Sequence, residues 1–386
     1  MQDAPIRVGM VAGEASADLL GTQLITALHR RNPNLRFAGI AGPRMRALGV
    51  ESYVPMDRLS ARGHADLSGR GRDLKGLRTR LIQRFLDERP ALFVGIDAPD
   101  FNLAVGRRLL AAGVPTVQYV GPSVWGWRRW RVKRIARSVT HVLALFPFEV
   151  PIYEQAGTPV TYVGHPLADS VPFEVDKAAA RIQLRLPHGK LIIALLPGNQ
   201  LTALRTMAEI FVKAARRFTN EVKDVHFLVP VSSRGNREVF DAALRLHEGG
   251  DLPLTVLFGH SHDALAAADL ALVASGTASL EAALFKTPMV IADRMATLTW
   301  WRSRRMRHLP YVGLPNILVG ERFVPEFLQR QTTPWVLAGA LMDLMRDAQA
   351  RRRQTERFHD IHLMLRQDNA NKASEAVLGV LDGVAR

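Results

Sequence analysis

Residues 272–285 read LVASGTASLEAALF and join the end of an apolar strand directly to a helix. Gly276 lets the backbone approach a ligand closely, and the N–H groups at the start of a helix attract negative charge. Thr277 and Glu281 are four residues apart and therefore share one face of the helix. The stretch indicates a strand-end site at which the helix start binds a diphosphate and Glu281 accepts hydrogen bonds from a sugar diol. The alternative is a capped helix with a solvated glutamate.

Similar short apolar runs recur along the chain and alternate with helical patterns. They are rich in Val, Ile and Leu, which is typical of parallel strands buried on both faces. Two sets of runs predict two doubly wound, Rossmann-like α/β domains. The runs lie at 6–13, 35–42, 91–97, 115–120 and 141–147, and then at 191–197, 225–231, 254–259, 270–275 and 288–293.

The expected domain boundaries follow from this division. We expect a first domain at 1–168 and a second at 169–340, with a hinge at the sequence GHP (164–166). Residues 341–386 read as helices that pack back on the first domain or on a partner subunit. A chain of 386 residues is long enough to bury two hydrophobic cores.

The composition is that of a soluble globular protein, with 47% hydrophobic and 23% charged residues. No apolar run reaches the roughly 18–20 residues of a membrane span, and the N-terminus does not resemble a signal peptide. The chain has no cysteine, which excludes disulfides and thiolate metal sites. We therefore expect a cytoplasmic protein.

The charge is strongly basic and clustered. Lys and Arg number 51 against 36 Asp and Glu, a formal charge of +15. Six basic residues lie in 128–137, six in 62–80 and four in 302–307. Such clusters attract the phosphates of nucleic acid, anionic lipid or a phosphorylated substrate. The alternative for each run is a solvated face. Because no nucleic-acid-reading motif accompanies them, we expect no nucleic-acid partner.

Eight motifs occur in an order and spacing that resembles the lipid-A-disaccharide synthase family: VAGEASADLLG, AGPRM, GIDAPDFN, PSVWGWR, VGHP, LPG, SGTASLE and YVGLPN. The resemblance covers essentially the whole chain. It implies an inverting, metal-independent glycosyltransferase of the GT-B type, with two domains facing across a cleft and no cofactor. The implied reaction moves 2,3-diacylglucosamine from UDP to 2,3-diacylglucosamine 1-phosphate, forms a β-1′,6-linked disaccharide and releases UDP at the inner face of the cytoplasmic membrane.

An inverting transfer needs a base for the acceptor hydroxyl and stabilisation of the departing diphosphate. Asp97 follows the third predicted strand and is the candidate base. Asp100 is a second candidate, although its position before an apolar helix favours a helix cap. Glu14 and Ser16 follow the first strand and are expected to position the acceptor, the alternative being turn chemistry.

The remaining candidates lie in the second half of the chain. Asn316 resembles a family position near the nucleotide, although Asn after Pro is also common in turns. The residues expected to contact the UDP-sugar are Gly198, Asn199, Gln200, Ser275, Gly276, Thr277, Glu281 and Asn316.

Three departures from the family pattern open alternatives. Gln200 stands where the family has the arginine of LPGSR, Ala17 stands where it prefers glycine, and 60–74 is polar where relatives are apolar. A neutral amide does not replace a guanidinium against a diphosphate. One alternative is therefore a catalytically weakened paralogue that binds a UDP-sugar or anionic lipid. Another is a different UDP-sugar enzyme of this fold, such as a 2-epimerase.

Acylated substrates imply a peripheral contact with an anionic membrane surface, made by tryptophans and arginines in two segments. A homodimer is a further expectation. The predicted membrane contacts are Trp125, Trp127, Arg128, Arg129, Trp300, Trp301 and Arg302.

Overall fold

The computed structural model describes residues 5–59, 67–122, 132–247, 249–295 and 310–384. The chain divides into two compact units. One comprises Met1–Asp169 together with Leu365–Arg386, and the other comprises Ser170–Met364.

The strands of the described residues are numbered in chain order. They are β1 (Ile6–Ala12), β2 (Leu35–Ala41), β3 (Glu51–Pro55), β4 (Leu92–Ile96), β5 (Thr116–Tyr119), β6 (His141–Ala144), β7 (Val160–Tyr162), β8 (Leu191–Leu196), β9 (Val225–Val231), β10 (Leu254–Phe258), β11 (Leu270–Ala274), β12 (Met289–Asp293) and β13 (Glu326–Leu328).

The α-helices are numbered in the same way. They are α1 (Ala15–Arg31), α2 (Pro43–Ala47), α3 (Leu67–Glu88), α4 (Pro99–Ala111), α5 (Val132–Ala136), α6 (Val150–Glu154), α7 (Pro166–Ser170), α8 (Lys177–Gln183), α9 (Leu201–Glu221), α10 (Arg234–Leu246), α11 (Ser261–Ala267), α12 (Thr277–Leu284), α13 (Leu314–Val319), α14 (Pro334–Arg346), α15 (Ala348–Leu365) and α16 (Asn369–Val384).

Each unit is built on one parallel sheet. The first has seven strands in the order β3-β2-β1-β4-β5-β6-β7, and the second has six in the order β10-β9-β8-β11-β12-β13. Every pairing is parallel, which confirms the prediction of two doubly wound domains. In each sheet the order reverses beside its first strand, between β1 and β4 and between β8 and β11. Ligands of such sheets bind at this reversal, beyond the carboxyl ends of the strands.

Apolar side chains on both faces of the central strands form the two cores. Val94 of β4 and Leu24 of α1 belong to the first core, and Phe227 of β9 and Phe211 of α9 belong to the second. All four are fully buried. The strands are therefore held rigidly, and the loops at their carboxyl ends have fixed starting points.

Three short strands, β3, β7 and β13, were not predicted. Each has three to five residues, and most of their side chains are only half-buried, so they lack the continuous apolar run of the central strands. The C-terminal residues divide between the units, since α14 and nearly all of α15 belong to the second and α16 to the first. The boundary expected at 341 falls within α14.

The segment expected to be a hinge, 164–166, lies inside the first unit. Gly164 has a left-handed φ of +78°, and its carbonyl accepts a hydrogen bond of 2.8 Å from the Asn369 side chain. Within the described ranges, no helix is long and apolar enough to cross a membrane.

Candidate functional site

The candidate site of the first unit lies at the strand reversal between β1 and β4. Gly13 and Glu14 follow β1, and Asp97 and Ala98 follow β4. A Cβ atom on Gly13 would lie 2.8 Å from the Cβ of Ala98, so the two loops approach as closely as only glycine permits. The structure thereby brings together three of the predicted residues: Glu14, Ser16 and Asp97.

The carboxyl groups of Glu14 and Asp97 lie close enough to interact, and Glu14 raises the pKa of the Asp97 carboxyl. Ser16 donates a hydrogen bond of 2.8 Å from its Oγ to Oε1 of Glu14. A like charge beside a carboxyl disfavours its ionised form. The three side chains therefore form a short chain that ends at the carboxyl of Asp97.

The backbone of Asp97 is held from several directions. Its N–H donates to the Tyr119 carbonyl at 2.8 Å. Its carbonyl accepts from Asn102 Nδ2 at 2.8 Å and from Gln118 Nε2 at 3.1 Å. The residue has a φ of +50°, a left-handed conformation that is unfavourable for any residue other than glycine. Such conformations persist where surrounding contacts enforce them, and they are frequent at functional sites.

Burial raises the pKa of the Asp97 carboxyl above its ordinary value. The interaction with Glu14 raises it further, and a backbone hydrogen bond from Ala98 opposes the increase. A carboxylate with a raised pKa is a stronger base than an exposed one and is suited to accept a proton from a hydroxyl group.

The prediction that Asp100 caps a helix is wrong. Helix α4 begins at Pro99, and Ala98 occupies the capping position with a left-handed φ of +40°. Asp100 lies inside the first turn, where a carboxylate favours the positive end of the helix dipole. With the left-handed pair Asp97–Ala98, the helix begins two residues earlier than the apolar pattern indicates.

The candidate site of the second unit lies at the strand reversal between β8 and β11. Gly198, with a φ of +100°, follows β8, and a Cβ atom on it would lie 3.6 Å from Ala274 at the end of β11. The loops 197–200 and 275–277 are therefore neighbours. Asn199 and Gln200 are exposed there, as are Gly276 and Thr277, which begin α12.

Two contacts order these loops. The Asn236 side chain, buried at the start of α10, donates 3.1 Å to the carbonyl of Asn199. Ser275 donates 2.6 Å from its Oγ to Asp293 at the end of β12. Gly276 has a φ of +117°, which a side chain would rarely adopt, so the chain turns sharply into α12. The arrangement exposes the N-terminus of α12 as a site for an anion.

Glu281 lies in the second turn of α12 and is largely buried. Burial raises the pKa of its carboxyl, and the neighbouring His262 and a hydrogen bond from Ser261 oppose that increase. His262 Nε2 is 4.0 Å from Oε2 of Glu281, and its ring packs 5.1 Å from that of Phe285. Sequence reasoning missed Ser261 and His262, although they follow β10 at the same sheet edge and that position alone marks them as candidates.

Asn316 is fully buried and its side chain is fully used within the protein. Its Nδ2 donates to the Val324 carbonyl at 2.8 Å and to Glu326 at 2.7 Å. Its Oδ1 accepts from the backbone N–H groups of Phe323 and Val324. Both amide hydrogens and the amide oxygen of Asn316 are therefore bonded within the protein. This geometry favours a structural role, in which Asn316 supports the loop behind α12.

The departures from the family pattern can also be located. Gln200 occupies the N-cap position of α9, but its side chain makes no capping hydrogen bond. Arg205 lies one turn further along that helix. Ala17 is buried in α1. The predicted membrane contacts, at 125–129 and 300–302, lie outside the described residues, as does 60–66 of the polar stretch.

Comparison with known proteins assigns the chain to a family. The family model described as lipid-A-disaccharide synthetase matches residues 8–380. The lipid-A-disaccharide synthase of Methylobacillus flagellatus is 49% identical over 375 residues, which cover 97% of this chain and 99% of that protein.

Two solved structures share the fold at low sequence identity. One is a putative UDP-N-acetylglucosamine 2-epimerase from Listeria monocytogenes, with a TM-score of 0.63 at 13% identity, covering 98% of this chain and 96% of that one. The other is a glycosyltransferase from Rickettsia africae, with a TM-score of 0.59 at 8% identity, covering 100% and 99%. They show the two-domain GT-B architecture. The full-length family match and the high identity together show that this chain belongs to the lipid-A-disaccharide synthase family.

Proposed function

We propose that the protein transfers 2,3-diacylglucosamine from UDP to 2,3-diacylglucosamine 1-phosphate, with release of UDP. Family membership supports the reaction class. The observation that carries the proposal is the paired carboxyls of Glu14 and Asp97 at the strand reversal of the first unit. A half-buried acid beside a second acid supplies what an inverting transfer requires, a base for a neutral hydroxyl group.

In the proposed step the acceptor 6-hydroxyl oxygen attacks C1 of the donor sugar while the bond from C1 to the UDP oxygen breaks. Asp97 takes the hydroxyl proton, and the electron pair of the broken bond leaves on UDP. Glu14, which accepts a hydrogen bond from Ser16, positions the acceptor and raises the pKa of Asp97. The enforced backbone of Asp97 supports this role, because a fixed base loses little entropy in reaching the reactive geometry.

The second unit is proposed to bind the nucleotide. The diphosphate would lie at the N-terminus of α12 beside the loop 197–200, where backbone N–H groups and the helix dipole favour negative charge. Glu281, ordered by Ser261 and His262, would accept hydrogen bonds from the ribose diol. Gly198 and Gly276 would let the backbone approach the phosphates without obstruction from a side chain.

We further propose that the protein acts as a peripheral protein at the inner face of the cytoplasmic membrane, because both proposed substrates are acylated. The basic clusters of the sequence support electrostatic attachment to anionic lipid. The proposed homodimer has less support, and sedimentation of the purified protein tests it.

Two alternatives have a specific observation in their favour. Gln200 in place of the family arginine favours a weakened paralogue that binds a UDP-sugar without turnover. The resemblance in fold to a 2-epimerase favours a reaction on UDP-N-acetylglucosamine without an acceptor.

Acceptor dependence separates the three functions. The synthase releases UDP from UDP-diacylglucosamine only when diacylglucosamine 1-phosphate is added. The weakened paralogue binds the UDP-sugar but does not cleave it, so no UDP is formed. An epimerase converts UDP-N-acetylglucosamine with no acceptor present. Release of UDP that does not depend on the acceptor would contradict the proposed function.

A further inference from the structure

A basic groove lies on the surface of the first unit between α3, α4 and α5. It has a volume of about 320 Å³ and is lined by Lys75 and Arg78 of α3, Arg107 and Arg108 of α4, and Arg134 of α5. An adjoining hollow shares Arg107 and Arg108 and adds Arg137. We call this surface, with its six cationic residues, the basic groove.

The described residues of the basic groove include no compensating acid. Among them no Asp or Glu lines the groove, and none of its six cations forms an ion pair with a described carboxylate. Arg84, on the same helix α3, contrasts with them because it pairs with Glu51 at 3.1 Å and Glu88 at 2.8 Å. Like charges around one concavity produce a positive potential that selects an anionic ligand.

Apolar side chains also line the basic groove. Ile82 and Leu86 of α3 and Leu103 and Ala104 of α4 line it and are only partly buried, beside the polar Thr79, Gln83 and Ser138. Long cationic side chains extend along such apolar surface and keep their charges in water. Cationic groups together with exposed apolar groups match an amphiphile, in which a phosphate is joined to hydrocarbon, better than they match a fully hydrated anion.

We propose that the basic groove is the surface by which the protein docks on anionic phospholipid headgroups of a bilayer. The proposal rests on the proposed function and names the place of its membrane contact. Charge complementarity argues for a phosphodiester headgroup, and the apolar lining residues accommodate the adjoining acyl region. Among the described residues, no aromatic side chain lines the basic groove, so they provide no stacking platform of the kind typical of single-stranded nucleic-acid binders.

The position of the basic groove fits a membrane enzyme. A third hollow, lined by Pro99, Asp100 and Arg134 among others, shares Arg134 with the basic groove and reaches the start of α4 beside Asp97. Pro99 and Arg107 are eight positions apart in α4, which corresponds to roughly 12 Å along the helix. Docking there would bring the lipid surface within about the length of an acyl chain of the proposed base.

The test compares two double charge reversals in a vesicle sedimentation assay. Arg107→Glu with Arg108→Glu alters the basic groove. Arg352→Glu with Arg353→Glu, at exposed positions of α15 in the second unit, is the control and changes the net charge by the same amount. The probe is vesicles of phosphatidylcholine and phosphatidylglycerol at low salt, with pure phosphatidylcholine for comparison, and thermal unfolding midpoints verify that each variant is folded.

We expect the wild type and the control to bind the anionic vesicles and to bind neutral vesicles poorly. Each charge near anionic lipid changes binding about fivefold, so the groove variant should bind at least about twentyfold more weakly. Equal weakening of both variants would overturn the proposal, because net charge alone would explain it. Unchanged binding of the groove variant, or salt-resistant binding to neutral vesicles, would overturn it as well.

Two further arms exclude other sources of phosphate. Release of the protein from vesicles by inorganic phosphate at constant ionic strength would assign the basic groove to a free anion. Tighter binding to a DNA duplex than to vesicles, abolished in the groove variant, would assign it to nucleic acid. Transfer by the wild type in neutral detergent micelles is measured separately, so that failure of the proposed function is distinguished from failure of this docking surface.

Discussion

At the scale of single residues, the interaction of the Asp97 carboxyl with Glu14 determines when the site can accept a proton. A neighbouring negative charge favours the protonated form of a carboxyl. Asp97 acts as a base only when it is ionised, and burial together with the charge of Glu14 raises its pKa. The pH dependence of transfer should therefore report the pair.

Glu14→Gln removes the neighbouring charge and keeps the shape of the side chain. The pKa of Asp97 should fall, although burial continues to raise it. Because Asp97 then remains ionised at lower pH, the acidic limb of kcat/KM against pH should move to lower pH. Ser16→Ala is the matched control, since it removes a hydrogen bond to Glu14 but leaves the charge. An acidic limb that stays in place in Glu14→Gln would contradict the coupling.

Gln200→Arg should raise the transfer rate if the family arginine is the missing element. Gln200 is exposed at the start of α9, so a guanidinium fits there without repacking. One charge-assisted contact to a phosphate contributes roughly 1.5–3 kcal/mol, or about ten- to a hundredfold. Steady-state kinetics should place the gain in donor KM or in kcat, whereas Gln200→Glu should lower both binding and rate. An unchanged rate in Gln200→Arg would mean that another cation, such as Arg205, fills the role.

The apolar pattern was enough to predict that Glu14 and Asp97 each follow a strand. Their pairing was not predictable, because they lie far apart in the chain and only the adjacency of β1 and β4 brings them together. The error at Asp100 has a local cause. Ala98 adopts a left-handed conformation that side chains normally avoid, and neighbouring loops enforce it.

At the scale of elements, the buried Glu149 carboxyl orders the turn between β6 and α6. Glu149 accepts hydrogen bonds of 3.1 Å from the N–H groups of both Leu145 and Phe146. Burial raises its pKa from 4.5 to about 8, and these two bonds only partly oppose the increase. Between pH 4.5 and about 8, the Glu149 carboxyl is therefore protonated in the folded protein and ionised in the unfolded chain.

This proton makes the stability of the first unit depend on pH. Since the folded state binds more protons, the free energy of unfolding should decrease as pH rises from about 5 to 8, by up to roughly 1.4 kcal/mol per pH unit. Glu149→Gln keeps an oxygen acceptor and carries no charge, so it should lose most of this dependence and be relatively more stable at pH 8. Chemical denaturation at both pH values measures it, with the exposed Glu154→Gln of α6 as control. A Glu149→Gln variant that retains the wild-type pH slope would refute the assignment.

The central strands were predictable because each is a continuous apolar run buried on both faces. The short strands β3, β7 and β13 were not, since their pairing depends on a neighbouring strand edge that already exists. Ser261 and His262 were missed for a related reason. Their function as neighbours of Glu281 appears only when α11 and α12 are packed together.

At the scale of the whole molecule, the last helix completes the first unit. Asp169 accepts hydrogen bonds from the backbone N–H groups of Asp368 and Asn369, at 3.1 and 2.6 Å. Ala373 and Val377 of α16 then join the apolar core of that unit. The helical character of the tail was predictable from its apolar periodicity. Its division between two units was not, because an amphipathic helix does not specify its partner.

The central claim is that this molecule is a glycosyltransferase whose base is Asp97. The most direct measurement incubates the wild type and Asp97→Asn with UDP-diacylglucosamine and diacylglucosamine 1-phosphate in detergent, and detects the disaccharide by mass. The wild type should form the disaccharide 1-phosphate, and the variant should be slower by roughly 10²–10⁴-fold with nearly unchanged affinity for UDP, because a base acts on the acceptor. Absence of disaccharide from a wild type that still binds UDP, or a variant that keeps more than about a tenth of the wild-type rate, would contradict the account.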